Sequence, residues 1–345
     1  MYGTSHINAE STNSKFSKKS TMTSNLTLAI CVYNAEKYIK ETLESVMAQT
    51  MQDFHLLIVN DCSTDNSVAV IERFFDEHPR QHEIVTLKEN GGLCVARRFA
   101  EEHANTQYIM FVDADDCIKP EYVKKLYSTI ASDSDLIAVG CHAEYMNSQS
   151  QKIKGGIYIG ETTKEGFYKK AANEKLIFML TSAIYDREIA LSVGGHNITG
   201  FPSGRPRYQD LCEDLDLWTR MSDLYSKGKA IIVIPETLYR YRKHENAISA
   251  DSIGMILRMR HIKKNLKLRR RGEKELTFIE FRDSLSAQEF EKLEKDAKAA
   301  NALRQSYYAL KRGRIFTFAG KLASSIYNNP SYFIDKVRHN IFKKK

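Results

Sequence analysis

The sequence predicts an α/β protein built on a doubly wound, mostly parallel sheet, with a small antiparallel part and a basic helical C-terminal extension. Apolar strand-like runs alternate with helical patterns up to about residue 140, the alternation weakens from residue 141, and basic residues accumulate after residue 250. Alternating strands and helices form parallel sheets with right-handed crossovers, and ligands of such sheets bind beyond the carboxyl ends of the strands.

Five continuous apolar runs are predicted as the parallel strands: Leu26–Tyr33, His55–Val59, Ile84–Leu87, Tyr108–Val112 and Leu136–Gly140. Apolar residues at helical spacing follow each of the first four runs. The later chain is predicted as an antiparallel pair over 141–160, a helix around 163–180, short strands at Ser182–Tyr185, Ala230–Ile234 and Thr237–Arg242, and a helix around 217–225. Residues 194–210 hold four glycines and two prolines, which predicts a loop.

Composition divides the 345 residues into three predicted parts. Residues 1–24 are rich in Ser, Thr, Asn and Lys without apolar periodicity, which indicates a disordered leader. Residues 25–250 are predicted to form the α/β domain. The first 250 residues hold 28 Lys and Arg against 33 Asp and Glu, whereas residues 251–345 hold 23 against 10. A hydrophobic content of 42% excludes collagen-like, mucin-like and wholly disordered proteins.

The cellular compartment is predicted from cysteines and apolar runs. The six cysteines form no CxxC pair, and several lie in apolar runs, which favours buried free thiols in a reducing compartment. No apolar run reaches the roughly 18–20 residues of a transmembrane helix, and the N-terminus lacks the apolar core of a signal peptide. We therefore expect the catalytic part to be cytoplasmic.

Carboxylates crowd directly after the fourth predicted strand, at Asp113, Asp115 and Asp116. Such crowding is electrostatically unfavourable unless a cation is present, and Asp113 and Asp115 point the same way if the strand geometry continues. Their hard oxygen atoms suit Mg²⁺ or Mn²⁺, which commonly sit on substrate phosphates. The alternative is an acidic turn that only ends the strand.

Two further groups of acids occupy places typical of a site. Asp61 follows the second strand at the carboxyl edge of the sheet, where a base or ribose would be held, while Asp65 and Ser67 are interpreted as turn and cap residues. Glu213 and Asp214 begin a helix after the glycine-rich loop. A carboxylate there can act as a general base, or it can simply stabilise the helix dipole.

The segment Tyr239–Asn246 alternates aromatic and basic residues before His244. On a strand, this alternation places one residue type on each face. It fits either a half-buried edge strand with solvated arginines or an arginine or histidine placed against a diphosphate or its metal.

Together these segments resemble the family 2 glycosyltransferases, which are inverting enzymes of the GT-A fold. The likeness covers about residues 26–250 and depends on several segments in the family's order: 31–39, 59–67, Asn90-Gly91-Gly92 with Ala96-Arg97, 113–116, Gly194-Gly195 and Glu213-Asp214. It implies transfer of a sugar from a nucleotide-sugar donor, most simply a UDP-sugar, to a hydroxyl of a glycan or lipid-linked acceptor in bacterial surface-polysaccharide biosynthesis. It also implies Mn²⁺ or Mg²⁺ as cofactor. No nucleic-acid partner is expected, because the α/β domain is mildly acidic.

The resemblance also implies a role for individual residues. Asp214 resembles the catalytic base, with Glu213 as the second candidate. The implied nucleotide-sugar contacts are Tyr33, Glu36, Asp61, Arg97, Asp113 and Asp115, and the implied metal ligands are Asp113, Asp115 and His244.

Four positions depart from the family's usual pattern, of which Asn60, where a second aspartate is common, is a frequent variant. Cys62 stands where glycine is common, which could alter the turn; Arg98 stands where asparagine is usual. His196 follows Gly194-Gly195 where phenylalanine is common. Because that position lies on the acceptor side, His196 is expected to bear on specificity.

Three other classes of protein stay open. A sugar-1-phosphate nucleotidyltransferase would need a Gly- and Arg-rich loop after the first strand, where this chain has Asn34-Ala35-Glu36-Lys37. An aspartyl phosphatase would carry its acidic pair after the first strand rather than the fourth. A non-catalytic glycan-binding protein would not need the full set of acids.

The basic C-terminal region has two apolar helical stripes, one formed by Met255, Met259, Ile262 and Leu266 and the other by Ile315, Phe318, Leu322 and Ile326. Basic amphipathic helices can lie on an anionic membrane, here the inner face of the cell membrane. The alternative is that both stripes pack on the catalytic domain. If the region binds membrane, removal of 251–345 leaves nucleotide binding in place; if it packs, the truncated chain melts far earlier.

Overall fold

The structure, a computed structural model, describes residues 9–12, 25–180, 182–204, 206–243, 252–311 and 313–334. Ten strands occur in this part of the chain: β1 (Ala9–Thr12), β2 (Leu26–Val32), β3 (His55–Asn60), β4 (Glu83–Leu87), β5 (Tyr108–Phe111), β6 (Cys117–Ile118), β7 (Leu136–Met146), β8 (Lys152–Ile157), β9 (Ile184–Asp186) and β10 (Ala230–Arg242). They form one sheet in the order β1-β4-β3-β2-β5-β9-β7-β10-β6, with β8 paired to β7 beside this path.

The helices pack on the two faces of the sheet and continue into the C-terminal region. They are α1 (Ile39–Met47), α2 (Ser67–Glu77), α3 (Leu93–His103), α4 (Tyr122–Ala131), α5 (Lys164–Ala172), α6 (Arg187–Ser192), α7 (Glu213–Met221), α8 (Ser252–Arg270), α9 (Phe278–Asp283), α10 (Ala287–Lys311) and α11 (Ile315–Asn328). Short 3₁₀ helices lie at Tyr208–Asp210 and Ser222–Lys227.

The predicted fold class is confirmed. Strands β4, β3, β2 and β5 are parallel, as are β7 and β10, while β1, β6, β8 and β9 pair antiparallel with their neighbours. Their carboxyl ends therefore bring the loops after β2, β3 and β5 to one edge of the sheet.

The largest difference in the sheet concerns β10. The sequence predicts two short strands, with an edge position as one alternative for the second, but β10 is one strand of 13 residues that lies between β7 and β6. Its register against β7 shifts between Ile234 and Thr237, around Pro235. Because a proline has no backbone N–H for the ladder, an irregularity there lets the strand bend and continue.

The predicted disordered leader differs from the structure at residues 9–12. These residues form β1, which pairs antiparallel with β4 from Ala9 opposite Leu87 to Thr12 opposite Ile84. The polar composition gives no strand signal here, because β1 is held by hydrogen bonds to backbone groups on the outer side of β4. Residues 1–8 and 13–24 lie outside the described residues.

The first C-terminal stripe belongs to the protein core. Ile262 and Leu266 on α8 are 1% and 0% exposed, and Ile262 packs with Cys212 and Leu215 at the start of α7. Met255 and Met259 pack against the same cluster. This stripe is therefore covered by protein and is not available to a membrane, contrary to one of the two predicted alternatives.

The second stripe lies on α11, which packs against α10. The buried Ser325 hydroxyl donates to the Ala299 carbonyl of α10 at 2.8 Å, and Phe318 and Leu322 are half-buried. On the same helix, Ile315, Phe316 and Tyr327 are 67%, 95% and 87% exposed.

All six cysteines are free thiols, and four of them are buried, as the sequence predicts. Within the described ranges, none of the helices combines the length and the apolar character needed to cross a bilayer.

Candidate active site

The loops after β2 and β3 are joined by hydrogen bonds. The Asn34 side-chain oxygen accepts the Thr64 N–H at 2.8 Å, and the Glu36 carboxylate accepts the Asn66 N–H at 2.9 Å. Asp65 accepts the Glu36 N–H at 3.1 Å, and the Ser67 hydroxyl accepts the Ala35 N–H at 2.8 Å. Asp65 and Ser67 are thus turn residues, as predicted, but the predicted helix cap is wrong, because Asn66 is the N-cap residue of α2 and no side chain caps that helix. One carboxylate oxygen of Glu36 is used in joining the two loops.

Tyr33 and Cys62, two residues that the sequence singles out, lie in these two loops. Tyr33 is 42% exposed at the end of β2, where a planar ligand could stack on its ring. Cys62 has a φ of 59°, a left-handed backbone that glycine adopts without steric cost. The turn therefore has the conformation for which glycine is suited, although Cys62 stands there.

Asp61 is 3% exposed, and its carboxylate holds the loop before α3. Oδ1 accepts the Gly91 N–H, while Oδ2 accepts the N–H of Gly92 and the side-chain amide of Asn90, each at 2.8 Å. Burial raises the pKa of Asp61 to about 6, although these backbone donors oppose the shift. In this geometry Asp61 positions the loop, and Oδ1 has one remaining lone pair for a ligand.

Asp210 is a second buried acid at the start of α3, and sequence reasoning missed it. It is 8% exposed, and Oδ1 accepts the Cys94 N–H at 2.8 Å. A Cβ atom on Gly92 would lie 2.4 Å from Asp210 Oδ2, so the close approach requires glycine. Arg207 completes the contact by donating to the Asn90 side chain at 2.6 Å. Asp210 lies in the glycine-rich loop, where no periodic pattern marks a buried position.

Arg97 connects the strand-end acids with the acids of α7. Its side chain is 2% exposed; Nη2 donates to Asp113 Oδ1 at 2.6 Å and Nη1 donates to Glu213 Oε1 at 2.5 Å. Its guanidinium lies over the Phe111 ring, 5.6 Å from the centroid. One buried cation therefore holds together two predicted site segments that are about a hundred residues apart in the chain.

Burial and mutual charge shift the pKa values of this cluster. Burial raises the pKa of Asp113, Arg97 opposes that shift, and the charge of Asp115 adds to it. Burial, then the charge of Asp214, raises the pKa of Glu213 to about 8, against the pull of Arg97. Burial alone would lower the pKa of Arg97, but Asp113 and Glu213 raise it above its ordinary value. The carboxylates of this cluster thus have too little positive charge around them to balance their own negative charge.

Backbone anchors fix the Asp113–Asp116 segment. The Asp113 N–H donates to the hydroxyl of the buried Tyr239 at 3.2 Å. The Thr42 hydroxyl lies 3.0 Å from the Ala114 carbonyl and 2.8 Å from the Asp116 carbonyl. Because these anchors use backbone atoms, the side chains of Asp113 and Asp115 stay partly exposed.

Arg242 is a further anchor of the same segment. It is 1% exposed; Nε donates to the Asp115 carbonyl at 2.5 Å and Nη2 to Glu41 Oε2 at 2.7 Å. Its backbone N–H donates to Asp116 Oδ1 at 2.6 Å. The aromatic–basic alternation of β10 therefore places Arg242 inside the protein, so the alternative of solvated arginines is wrong for this residue.

The acidic side chains at this site can supply some of the ligands of a divalent cation. Asp113, with its side chain 31% exposed, and the half-buried Asp115 offer carboxylate oxygens, whereas Asp116 is 2% exposed and bonded to Arg242. Among the described residues no group of three or more His, Cys, Asp or Glu side chains is arranged to hold a metal. His244 lies outside them. Two carboxylates fit a Mg²⁺ or Mn²⁺ ion that takes its other ligands from water and substrate phosphates.

The two candidate bases differ in their surroundings. The Glu213 side chain is 10% exposed and paired with Arg97. Asp214 is partly exposed, and its Oδ1 accepts the Leu215 N–H at 2.6 Å. Asp214 is thus the more accessible of the two to an acceptor hydroxyl.

Two further departures from the resembled family have structural roles. His196 is 1% exposed, its Nδ1 lies 2.8 Å from Glu101 Oε1, and its ring meets Phe111 edge to face. Its side chain therefore contacts the core, and the expectation that it bears on acceptor specificity is wrong for a direct contact. Arg98 donates to the Gly194 carbonyl at 2.5 Å and so holds the same loop.

Comparisons with known proteins agree with this arrangement. A family model described as glycosyl transferase family 2 matches residues 27–193. The chain is 30% identical over 219 residues to a putative teichuronic acid biosynthesis glycosyltransferase, TuaG, of Bacillus subtilis, which covers 64% of this chain and 79% of that protein. It is 31% identical over 229 residues to glycosyltransferase GlyA of Streptococcus pneumoniae, covering 65% of this chain but only 31% of that protein.

Several of the curated relatives are therefore much longer than the matched part; two others are covered over 13% and 34% of their length. Among solved structures, TarS 1-349 of S. aureus in complex with UDP-GlcNAc is similar, with a TM-score of 0.52 and 19% identity, covering 87% of this chain and 90% of that one. At that identity the likeness concerns the fold, and it agrees with the predicted GT-A architecture.

Proposed function

The chain belongs to glycosyltransferase family 2, and on that premise we propose that it transfers a sugar from a nucleotide-sugar donor to an acceptor hydroxyl with inversion at the anomeric carbon. The donor is a UDP-sugar. The acceptor is a glycan or lipid-linked glycan, and the product belongs to a bacterial surface polysaccharide.

The contact of Arg97 with both Asp113 and Glu213 carries this proposal. It brings the strand-end acids, at 2.6 Å from the guanidinium, and the start of α7, at 2.5 Å, to one place. A displacement at a sugar carbon needs charge stabilisation on the leaving-group side and a base on the acceptor side. Asp113 and Asp115 would serve the first need by holding a divalent cation, and Asp214 serves the second.

In the proposed reaction the acceptor oxygen bonds to the anomeric carbon while the bond from that carbon to the diphosphate oxygen breaks. Asp214 takes the proton of the attacking hydroxyl, and the nucleoside diphosphate leaves with the electron pair. Asp113 and Asp115, together with His244, would hold Mn²⁺ or Mg²⁺, which stabilises the negative charge that develops on the diphosphate. Arg97 keeps Glu213 paired and so leaves proton transfer to Asp214.

The nucleotide is proposed to lie along the joined loops after β2 and β3. Tyr33, at 42% exposure, offers a ring face, and Asp61 and Glu36 offer carboxylate oxygens close to the loop backbone. The loop over Asn34–Lys37 is closed by hydrogen bonds to residues 63–66. A nucleotidyltransferase would instead need open backbone N–H groups there for a triphosphate, so this observation favours the glycosyltransferase.

The test is a thermal-shift screen of UDP-sugars and GDP-mannose, each with Mn²⁺, with Mg²⁺ or with a chelator. We expect a UDP-sugar with a divalent cation to raise the melting temperature most, and the chelator to remove that shift. Release of UDP from the stabilising donor with a glycan acceptor then identifies the transferase. Pyrophosphate release from UTP and a sugar 1-phosphate would identify a nucleotidyltransferase, and glycan binding without any nucleotide effect would identify a binding protein.

We further propose peripheral attachment to an anionic membrane, through α11 rather than through α8. Ile315, Phe316 and Tyr327 are exposed apolar side chains of α11, and the basic side chains of Arg314 and Lys321 in the same segment are exposed as well. Lys343, Lys344 and Lys345 follow later in the chain and lie outside the described residues. Each basic side chain near an anionic surface contributes about 1 kcal/mol, and salt screens this attraction.

Vesicles made of equal amounts of phosphatidylglycerol and phosphatidylcholine test this proposal. We expect the full chain to float with them at low salt and less at high salt, and Phe316→Glu combined with Tyr327→Glu to abolish flotation without changing the melting temperature. Tyr158→Glu is the matched control, because Tyr158 is 59% exposed but lies after β8. No flotation of the unaltered chain at low salt, or equal loss in the control, would end the proposal.

A further inference from the structure

The helix that carries the candidate base begins in an unfavourable backbone conformation. Cys212 precedes α7 with a φ of 56° and a ψ of 32°, and no side chain caps the helix start. Residues with a Cβ atom adopt this left-handed conformation only when the surroundings impose it. Glu213 and Asp214 follow directly, so whatever holds Cys212 also sets the direction of their side chains.

Helix α8 supplies these surroundings. Arg258 is 1% exposed, and its Nε donates to the Leu211 carbonyl, immediately before Cys212, at 3.2 Å. The Cys212 sulfur lies 3.5 Å from the Met255 sulfur and 3.8 Å from the Met255 carbonyl. Cys212 also belongs to one apolar cluster with Ile262. Contacts from successive turns of α8 thus meet the residues that lead into α7.

Arg258 is itself held rigidly. Its Nη1 lies 2.8 Å from His261 Nδ1, and its guanidinium lies 4.7 Å from the centroid of the Phe201 ring. The carboxylate of Asp216 on α7 is buried at 7% exposure, and the charges of Arg220 and Arg258 lower its pKa although burial opposes them. A buried arginine whose own side chain is held in place also holds in place the backbone carbonyl to which it donates.

We infer that Arg258 on α8 is a positioning residue for the transfer reaction, because it holds the Leu211–Cys212 backbone so that Asp214 faces the acceptor hydroxyl. This inference rests on the proposed function. It also makes α8 a part of the catalytic unit, whereas the sequence predicts a boundary between residues 250 and 251. Removing residues 251–345 would then damage α7 itself rather than detach an independent region.

The test compares Arg258→Met and Arg258→Lys with a control on the same helix. Arg260→Met is that control, because the Arg260 side chain is 43% exposed and contacts Asp296 of α10 at 3.5 Å. Misplacing a catalytic group by about 1 Å can lower the rate about 10²-fold. We expect Arg258→Met to lower kcat about 10- to 100-fold with the donor Kd within about 2-fold of the unaltered protein. Arg258→Lys, which keeps a donor for the Leu211 carbonyl, should recover part of the loss.

Hydrogen exchange gives a readout that does not depend on transfer. The amides of residues 213–216 should exchange faster in Arg258→Met than in Arg260→Met, while the amides of β3 and β5 stay unchanged. A lower melting temperature with unchanged kcat and unchanged exchange at α7 would overturn the inference, as would equal losses of kcat and donor affinity. If Arg258→Met does not fold, Arg258→Lys and Met255→Ala decide by the same measurements. If the unaltered protein transfers no sugar, the proposed function fails, and the exchange data still decide whether α8 holds the start of α7.

Discussion

Replacing Asp115 with asparagine is expected to lower the rate of sugar transfer about 10³-fold and to abolish metal-dependent binding of UDP. The Asp115 carbonyl is held by Arg242 at 2.5 Å, so the backbone should keep its place when only the side-chain charge is removed. Asparagine has nearly the same shape as aspartate but is a weaker ligand for a hard cation. The effect is therefore assigned to the charge of one side chain.

Calorimetric titration of UDP with and without Mn²⁺ measures the binding part of this prediction, and a UDP-release assay measures the rate. Asp135→Asn is a matched control, because Asp135 is an acid with its side chain 47% exposed that pairs with Lys164 far from the strand-end cluster. Metal-dependent UDP affinity that is unchanged in Asp115→Asn would remove Asp115 from the proposed metal ligands.

Replacing Asp214 with asparagine is expected to lower kcat about 10²- to 10⁴-fold and to leave the donor Kd unchanged, the range observed when a general base is lost. Asp214 is partly exposed at the start of α7, whereas Glu213 is 10% exposed and engaged by Arg97. Single-turnover rates at saturating donor, measured beside donor titrations, separate catalysis from binding.

Two comparisons keep this assignment testable. Glu188→Gln, in the first turn of α6 with its side chain 78% exposed, removes a similar charge from another helix start and should leave kcat unchanged. Glu213→Gln should mainly weaken donor binding, because it deprives Arg97 of one partner and so disturbs Asp113. An inactive Glu213→Gln with normal donor binding, together with an active Asp214→Asn, would make Glu213 the base.

Much of the site can be predicted from local sequence patterns. Apolar runs bounded by turn residues predict the strands, and the carboxyl ends of parallel strands share one edge, so Asp61 and Asp113 could be assigned to that edge from the sequence. Placing both acids at that edge does not require knowing which strands are neighbours. The turn at Asp65 and Ser67 is likewise local, because Asp65 accepts the Ser67 N–H, although their bonds to Glu36 and Ala35 arise only in the folded protein.

Other residues could not be found in this way. The loop over 194–210 has no periodicity, so nothing in it marks Asp210 as the buried acid that binds the start of α3. Local sequence does not indicate either whether a histidine after two glycines is buried or exposed. His196 is buried because it packs against Phe111 and Glu101. A leader of polar residues likewise shows no strand pattern, because β1 is stabilised by the backbone of β4.

The sequence by itself therefore determined the fold class, the family and the position of the acids at the strand ends, since each depends on local periodicity or on motifs of contiguous residues. The tertiary structure decided which charges meet. Arg97 joins Asp113 to Glu213, and Arg258 of α8, in the basic C-terminal region, points inward and donates to the Leu211 carbonyl. The physical reason is that a buried ion pair or hydrogen bond is favoured only where folding brings its two partners together and excludes water, and no local pattern records that meeting.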